Sequence, residues 1–261
     1  MAVDPYAAPK SRVVDVPNAA PDGEFNAKGR SVAAGNGWTW ITQAWELFKG
    51  QKGSWIGLFV LLAVIVIVLN ILPFIGPFAL IFLSPVFYGG VMLGCDTLRN
   101  GDDLKIGHLF AGFSSHTGRL LGVGAVTLAA FIGVFVVVMV IFGGDMARMM
   151  MGTQPSPGQM QAMGLRFLLV PLIILALSMP IYMALWFATP LIVLNDFRVG
   201  DALKASFSAC LGNMLPFLVF GIAFFLLAIV ASIPLLLGWL VLGPVLLASI
   251  YTGYRDIFYE H

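Results

Sequence analysis

At the ends of three apolar stretches an aspartate stands within three residues of an arginine: Asp96 with Arg99, Asp196 with Arg198, and Asp256 with Arg255. Brought together, such carboxylates and guanidinia could ring a vestibule or hold lipid phosphates through paired hydrogen bonds. The same residue types also close apolar helices and reach from their ends into a headgroup layer. Either use needs one scaffold, a set of apolar helices whose ends share a face.

No other constellation in the chain builds a reactive centre. His108 and His116 are eight residues apart, too far for the i, i+4 pair that offers two ligands to one metal. No Ser-His-Asp set, metal-ligand cluster or phosphate-cradling glycine loop can be assembled, so neither catalysis nor a cofactor is predicted. Six of the twelve methionines lie at 146, 149, 150, 151, 160 and 163. Thioethers suit Cu(I), but no Cys or His accompanies them, and Met also packs adaptably at helix ends. No metal site is assigned.

The scaffold follows from composition. The chain is 59% hydrophobic and 10% charged, against about 25% charged in soluble domains, which predicts an all-α integral membrane protein. A net charge of +1 without basic blocks removes the footprint that nucleic-acid binding requires. Residues 1–37 contain four prolines, balanced charge and no apolar stretch of signal-peptide type. They are predicted to form a disordered tail ahead of a membrane domain at 38–261.

Since about 20 apolar residues cross a bilayer, six spans are predicted, near 54–72, 76–98, 119–142, 165–195, 214–234 and 236–258. The first and last pairs are joined by short uncharged turns, and a longer connection covers 143–164. Pro171, Pro180 and Pro190 are candidate kinks in the long fourth segment. Six spans would put both ends of the chain on one side. Twelve of fourteen Lys and Arg residues fall there, which makes it cytoplasmic by the positive-inside rule. Cys95 and Cys210 would then be reduced thiols near that face.

A threefold internal pattern organises these spans. In "GNGWTWITQAWELFKGQKGSW" (35–55), Trp38, Ile41, Trp45 and Phe48 recur at helical spacing opposite a polar face. A shift of 65 residues carries Ile41, Trp45, Phe48 and Gly53 onto Ile106, Phe110, Phe113 and Gly118, and a further shift of 94 carries Phe113 and Gly118 onto Phe207 and Gly212. Each copy is an amphipathic helix followed by two spans, giving quasi-repeats at 38–99, 102–196 and 199–258. Trp38, Trp45, Phe48, Phe110, Phe113 and Phe207 are the predicted anchors at the cytoplasmic headgroup boundary.

The middle of every span lacks Asp, Glu, Lys, Arg and His, which counts against proton-coupled transport. The residues favour a non-enzymatic protein whose amphipathic helices organise lipid or scaffold partners. Membrane lipids and another membrane protein or a second copy are the predicted partners. The alternative is a channel or facilitator for a small or apolar solute, lined by the Gly- and Pro-broken even-numbered spans. Gly89, Gly90 and Gly94 would allow close helix contact within or between chains.

On "GRSVAAGNGWTWITQAWELFKGQKGSWI" (29–56), "YGGVMLGCDTLRNGDDLKIGHLFAGF" (88–113) and "YTGYRDIF" (251–258), the chain resembles a family of uncharacterised polytopic inner-membrane proteins of proteobacteria. The resemblance implies a bacterial inner-membrane location and carries no activity or functional residues with it. More distantly, the repeated plan looks like the membrane domain attached to some bacterial glycerophosphodiester phosphodiesterases. This chain has no soluble phosphodiesterase domain, so that activity is not implied.

Overall fold

The computed structural model describes residues 23–73, 75–152 and 157–260. They form α1 (Asn36–Gly50), α2 (Lys52–Ile71), α3 (Ile75–Arg99), a 3₁₀ helix (Ile106–Phe110), α4 (Ala111–Ser114), α5 (Thr117–Met150), α6 (Pro157–Trp186), α7 (Ala188–Asn195), α8 (Val199–Gly212), α9 (Met214–Ser232) and α10 (Trp239–Phe258). Five stretches are long and apolar enough to cross a membrane: α2, α3, Thr117–Gly144 of α5, Leu168–Asn195 across α6 and α7, and α9. Their many Val and Ile residues would weaken a helix in water. In hydrocarbon the backbone must satisfy its own hydrogen bonds, and a helix does so.

The predicted sixth segment departs from the other five. It forms α10, whose Ser249, Tyr251, Thr252, Tyr254, Arg255 and Asp256 make it less apolar, and fourteen of its twenty residues are buried. Around it the other helices gather. The Trp40 ring of α1 lies over Gly253, and the Phe59 ring of α2 lies over Gly243. Thr252 donates to the Trp40 carbonyl at 2.8 Å, and Tyr251 donates to Asp96 of α3 at 2.8 Å. Phe258 meets Phe187, beside the start of α7, with ring centroids 5.7 Å apart.

A second departure concerns the tail. Residues 23–35 were predicted as part of the disordered segment, yet from Glu24 to Arg30 they run alongside the end of α10, with a Phe25–Tyr259 bridge. Asn26 N–H donates to Phe258 O, and Arg30 N–H to Ile257 O, both at 2.8 Å. The end of α10 lies more than 220 residues away in sequence, so local composition carries no sign of this pairing. Residues 1–22 of the predicted tail lie outside the described residues.

The connection predicted at 143–164 is largely helical, because α5 continues to Met150 and α6 begins at Pro157. Met150 and Met151 are exposed. Residues 153–156 and the side chains of Met146, Met149, Met160 and Met163 lie outside what the structure describes. Of the three predicted kinks, Pro171 and Pro180 sit within continuous α6. The break comes at Phe187, three residues before Pro190, which has no N–H to give the Trp186 carbonyl and crowds it with its ring. Ser206 of α8 fills the opened ladder. Its hydroxyl accepts from Phe187 N–H at 2.9 Å and donates to Met183 O at 2.8 Å, standing between two groups that a regular helix would pair directly.

Three junctions between short and long helices have a common form. Gln51, between α1 and α2, accepts from Leu104 N–H (2.7 Å) and donates to Asp103 (2.6 Å), just before the 3₁₀ helix. His116, between α4 and α5, bonds Asp196 at 2.9 Å, just before α8. Asn213, between α8 and α9, accepts from Val32 N–H at 2.8 Å and donates to Arg30 O at 2.9 Å, just before α1. Each junction thus holds the segment leading into the next short helix, and the third closes back on the first.

The glycines predicted to allow close contact do so inside the chain. A Cβ on Gly90 would lie 2.3 Å from the His108 carbonyl, and one on Gly94 would lie 2.7 Å from Leu104. The 3₁₀ helix is thereby seated on α3.

Replacing Ser206 by Ala would leave two buried backbone groups without their bridge, which costs about 1–3 kcal/mol. The S206A protein in detergent is therefore expected to unfold at a lower temperature than the parent; an unchanged melting temperature would remove the bridging role.

Candidate functional site at the charged end of the bundle

The six predicted charged residues lie at one end of the bundle but do not form one ring. They divide into separate centres, each built with partners from elsewhere in the chain. Asp256 is held by three side chains. One carboxylate oxygen accepts from Arg30 Nη2 at 3.1 Å, and the other accepts from Asn36 Nδ2 and Trp40 Nε1, each at 2.8 Å. Arg30 Nε also donates to the Asp256 carbonyl at 2.8 Å. Here α10 grips both the leading segment and the first turns of α1.

Asp196 ends α7 in a left-handed conformation, φ 57°, a region that Asp tolerates better than most residues. Its Oδ1 accepts from Arg119 Nη1 at 2.5 Å and meets His116 Nε2 at 2.9 Å. The hydrogen bond from Arg119, then that with His116, hold this carboxyl below the usual carboxylate range. Asp96, by contrast, accepts from Tyr251. Arg255 places its guanidinium 3.4 Å from the centre of the Tyr259 ring, a cation–π arrangement. Tyr259 donates or accepts within a set made with Tyr254 and Asn195 at the end of α7. Arg198 begins α8 as its N-cap residue, and Arg99 closes α3.

The partners Arg30, Asn36, Trp40, Arg119, Tyr251 and Tyr254 were not singled out by sequence, and His116 was weighed there only as a metal ligand. Only Trp40 carried a signal, since it belongs to the same Trp-rich stretch. Among the described residues, no three His, Cys, Asp or Glu side chains come together to hold a metal. Burial pushes the Cys210 thiol up to about 12, so it is held as the thiol.

Of the predicted anchors, Trp38, Trp45, Phe110, Phe113 and Phe207 are exposed. Phe48 is the correction. It is 2% exposed and belongs to the buried stripe Trp40, Ile41, Ala44 and Phe48 that faces α9 and α10. Both stripes have helical spacing, but only the buried one includes Gly37 and Ala44. A Cβ on Gly37 would lie 2.1 Å from the Pro216 carbonyl, so this small-residue side is the one that can approach another backbone. Trp45 is 40% exposed, Phe110 44% and Phe207 37%. Phe113, which the predicted register pairs with Phe207, is 41% exposed. The second amphipathic segment is also broken, into the 3₁₀ helix and α4 rather than one helix.

With known proteins the likeness is limited. No family model matches the chain, and no solved structure does. It is similar to a probable inner membrane protein of Burkholderia thailandensis, 28% identical over 208 residues that cover 77% of this chain and 76% of that protein. Five apolar helices and this likeness make it a multi-pass membrane protein. The comparisons give no link to the phosphodiesterase-attached membrane domain.

Two outcomes are expected at this end. Asp256→Ala removes three side-chain bonds to a carboxylate, each of a type worth about 1.5–3 kcal/mol when charged groups take part, and should expose Lys28 and Arg30 to trypsin; cleavage no faster than in the parent would contradict the docking. Because the Asp196 carboxyl is lowered in the folded protein, its contribution is present above the ordinary carboxylate range and is lost as pH falls through the folded value. Melting followed from pH 6 downward should therefore show an acid-side loss that Asp196→Asn reduces, and identical profiles would remove that linkage.

Proposed function

We propose that this is a non-enzymatic inner-membrane protein that organises lipid or scaffolds partner proteins through three interfacial segments on the cytoplasmic side. The observation that carries the reading is the exposure of at least one aromatic in each segment, Trp45, Phe110 and Phe207 among them. All three belong to elements at the end where the aspartate centres gather. A large aromatic surface beside charged groups suits the headgroup boundary, where one end of the ring is apolar and its surroundings are wet. The printed name of the Burkholderia relative supports the inner membrane.

In this reading α10 is the sixth span, enclosed by the others, and both ends of the chain face the cytoplasm, as the Lys and Arg distribution favours. The chain is three quasi-repeats closed in a circle. Support comes from the junction bonds, in which Gln51, His116 and Asn213 each hold the start of the following copy. It comes also from packing: the second copy's 3₁₀ helix and α4 rest on α3, the third copy's α8 rests on α6 and α7, and the first copy's α1 rests on α10.

The test uses spin labels at Trp45→Cys, Phe110→Cys and Phe207→Cys, introduced singly; native Cys95 and Cys210 are buried and should label poorly. Collision with oxygen and with a water-soluble nickel chelate reports depth. All three labels are expected about 5–10 Å below the headgroup surface, and labels fully accessible to the chelate would overturn the interfacial reading.

A further inference from the structure

The three copies do not close on one another equally. α3 packs along α5, and α10 packs against α2. The corresponding pair, α6 and α9, meets where Trp186 stands edge-on to Phe217 and Phe220, with centroids 5.6 and 6.0 Å apart. Beyond that point a groove of 820 Å³ opens between them, with Met179, Met183 and Trp186 on one side and Phe217, Gly221 and Phe225 on the other. Met179 is 53% exposed and Phe225 64%, so the groove opens sideways rather than into the bundle.

We propose that this groove is a binding site for an acyl chain of a membrane phospholipid. Its position fits. The lining on α9 runs from Met214 to Phe225, about 16 Å of helix at 1.5 Å per residue. That is close to half of a hydrocarbon core of about 30 Å, so it spans one leaflet and begins at the charged end where a headgroup would lie. Its volume fits as well. At about 30 Å³ per methylene, near the share of a water molecule, a sixteen-carbon chain needs about 500 Å³. A protein helix crossing the same height, at least about 10 Å wide, needs about 1,200 Å³ and would lie partly outside the groove, where an acyl chain is held within it.

The wall chemistry points the same way. Three thioethers and six aromatic rings offer an apolar, adaptable surface with few hydrogen-bonding groups to recognise a polar solute. Gly221 keeps the groove open: a Cβ there would meet nothing within 4 Å, so neither its backbone conformation nor close packing requires glycine. The inference needs α6 and α9 to lie in the bilayer and does not depend on the interfacial segments.

The experiment is native mass spectrometry of the full chain released from nanodiscs of phosphatidylethanolamine and phosphatidylglycerol, beside Gly221→Phe and a control, Gly133→Phe. Gly133 also has open space around it and lies on α5, away from the groove. One phospholipid per chain is expected to survive in the parent and in G133F, and to fall at least fivefold in G221F. Equal retention in parent and G221F, or no retained lipid in the parent, would overturn the site, as would a lipid-free dimer in the parent.

A second readout needs no change at Gly221. The emission of Trp186, taken as the difference between the parent and Trp186→Phe, is expected to be quenched in bilayers whose acyl chains carry bromine. An unquenched Trp186 would overturn the site even if G221F failed to fold. Spin labels at the proposed depth with an empty groove would leave the interfacial function standing without this lipid.

Discussion

A helix that carries Ser249, Thr252, two tyrosines, an arginine and an aspartate cannot lie bare against hydrocarbon, and the arrangement of this protein answers that constraint. Enclosed among the other helices, the polar groups of α10 are cut off from solvent and draw partners from other elements. Asp256 obtains its partners from Arg30, Asn36 and Trp40, Tyr251 from Asp96, and Thr252 from the carbonyl of Trp40. Those bonds determine which elements stand beside α10. The leading segment, α1 and the end of α3 are drawn to it, while α2, α5 and α9 keep mostly exposed apolar surfaces.

Close approach then depends on small residues where backbones meet. Gly37 lets α1 touch α9, Gly90 seats the 3₁₀ helix on α3, and Gly253 receives the Trp40 ring. Without a hydrophobic drive between helices inside lipid, such contacts and the few hydrogen bonds between helices carry the association. Ser206 shows the two combined. It is a small buried residue on α8 that also repairs the backbone that Pro190 has broken in α6 and α7.

Much of this was legible in the sequence, and what was not has a physical reason. Long apolar runs revealed five of the six predicted spans, since length and hydropathy are sufficient for those, while the sixth became the enclosed α10. The faces of α1 were harder, because Trp38–Trp45 and Trp40–Ala44–Phe48 both have helical period, and periodicity reports that a face is apolar without saying what covers it. The docking of Glu24–Arg30 on the end of α10 was invisible because its partners are far away along the chain. The second amphipathic segment is broken into the 3₁₀ helix and α4, a break that aromatic spacing alone does not report. The aspartates were recognisable as a set. Their separation into three centres was not, since it depends on partners such as His116 and Tyr251 that nothing in their neighbourhood marks.

The contact between Trp40 and Thr252 joins residues 212 positions apart. At about 5–20 residues per second, synthesis separates the two by roughly 10–40 s. For that time α1 has been made and its packing surface has not. Both of its aromatic stripes are then uncovered, the one kept outward at Trp38 and Trp45 and the one later sealed at Trp40 and Phe48. The burial of Trp40 and Phe48 therefore waits on α10, and α1 takes its final place only after that helix has been made.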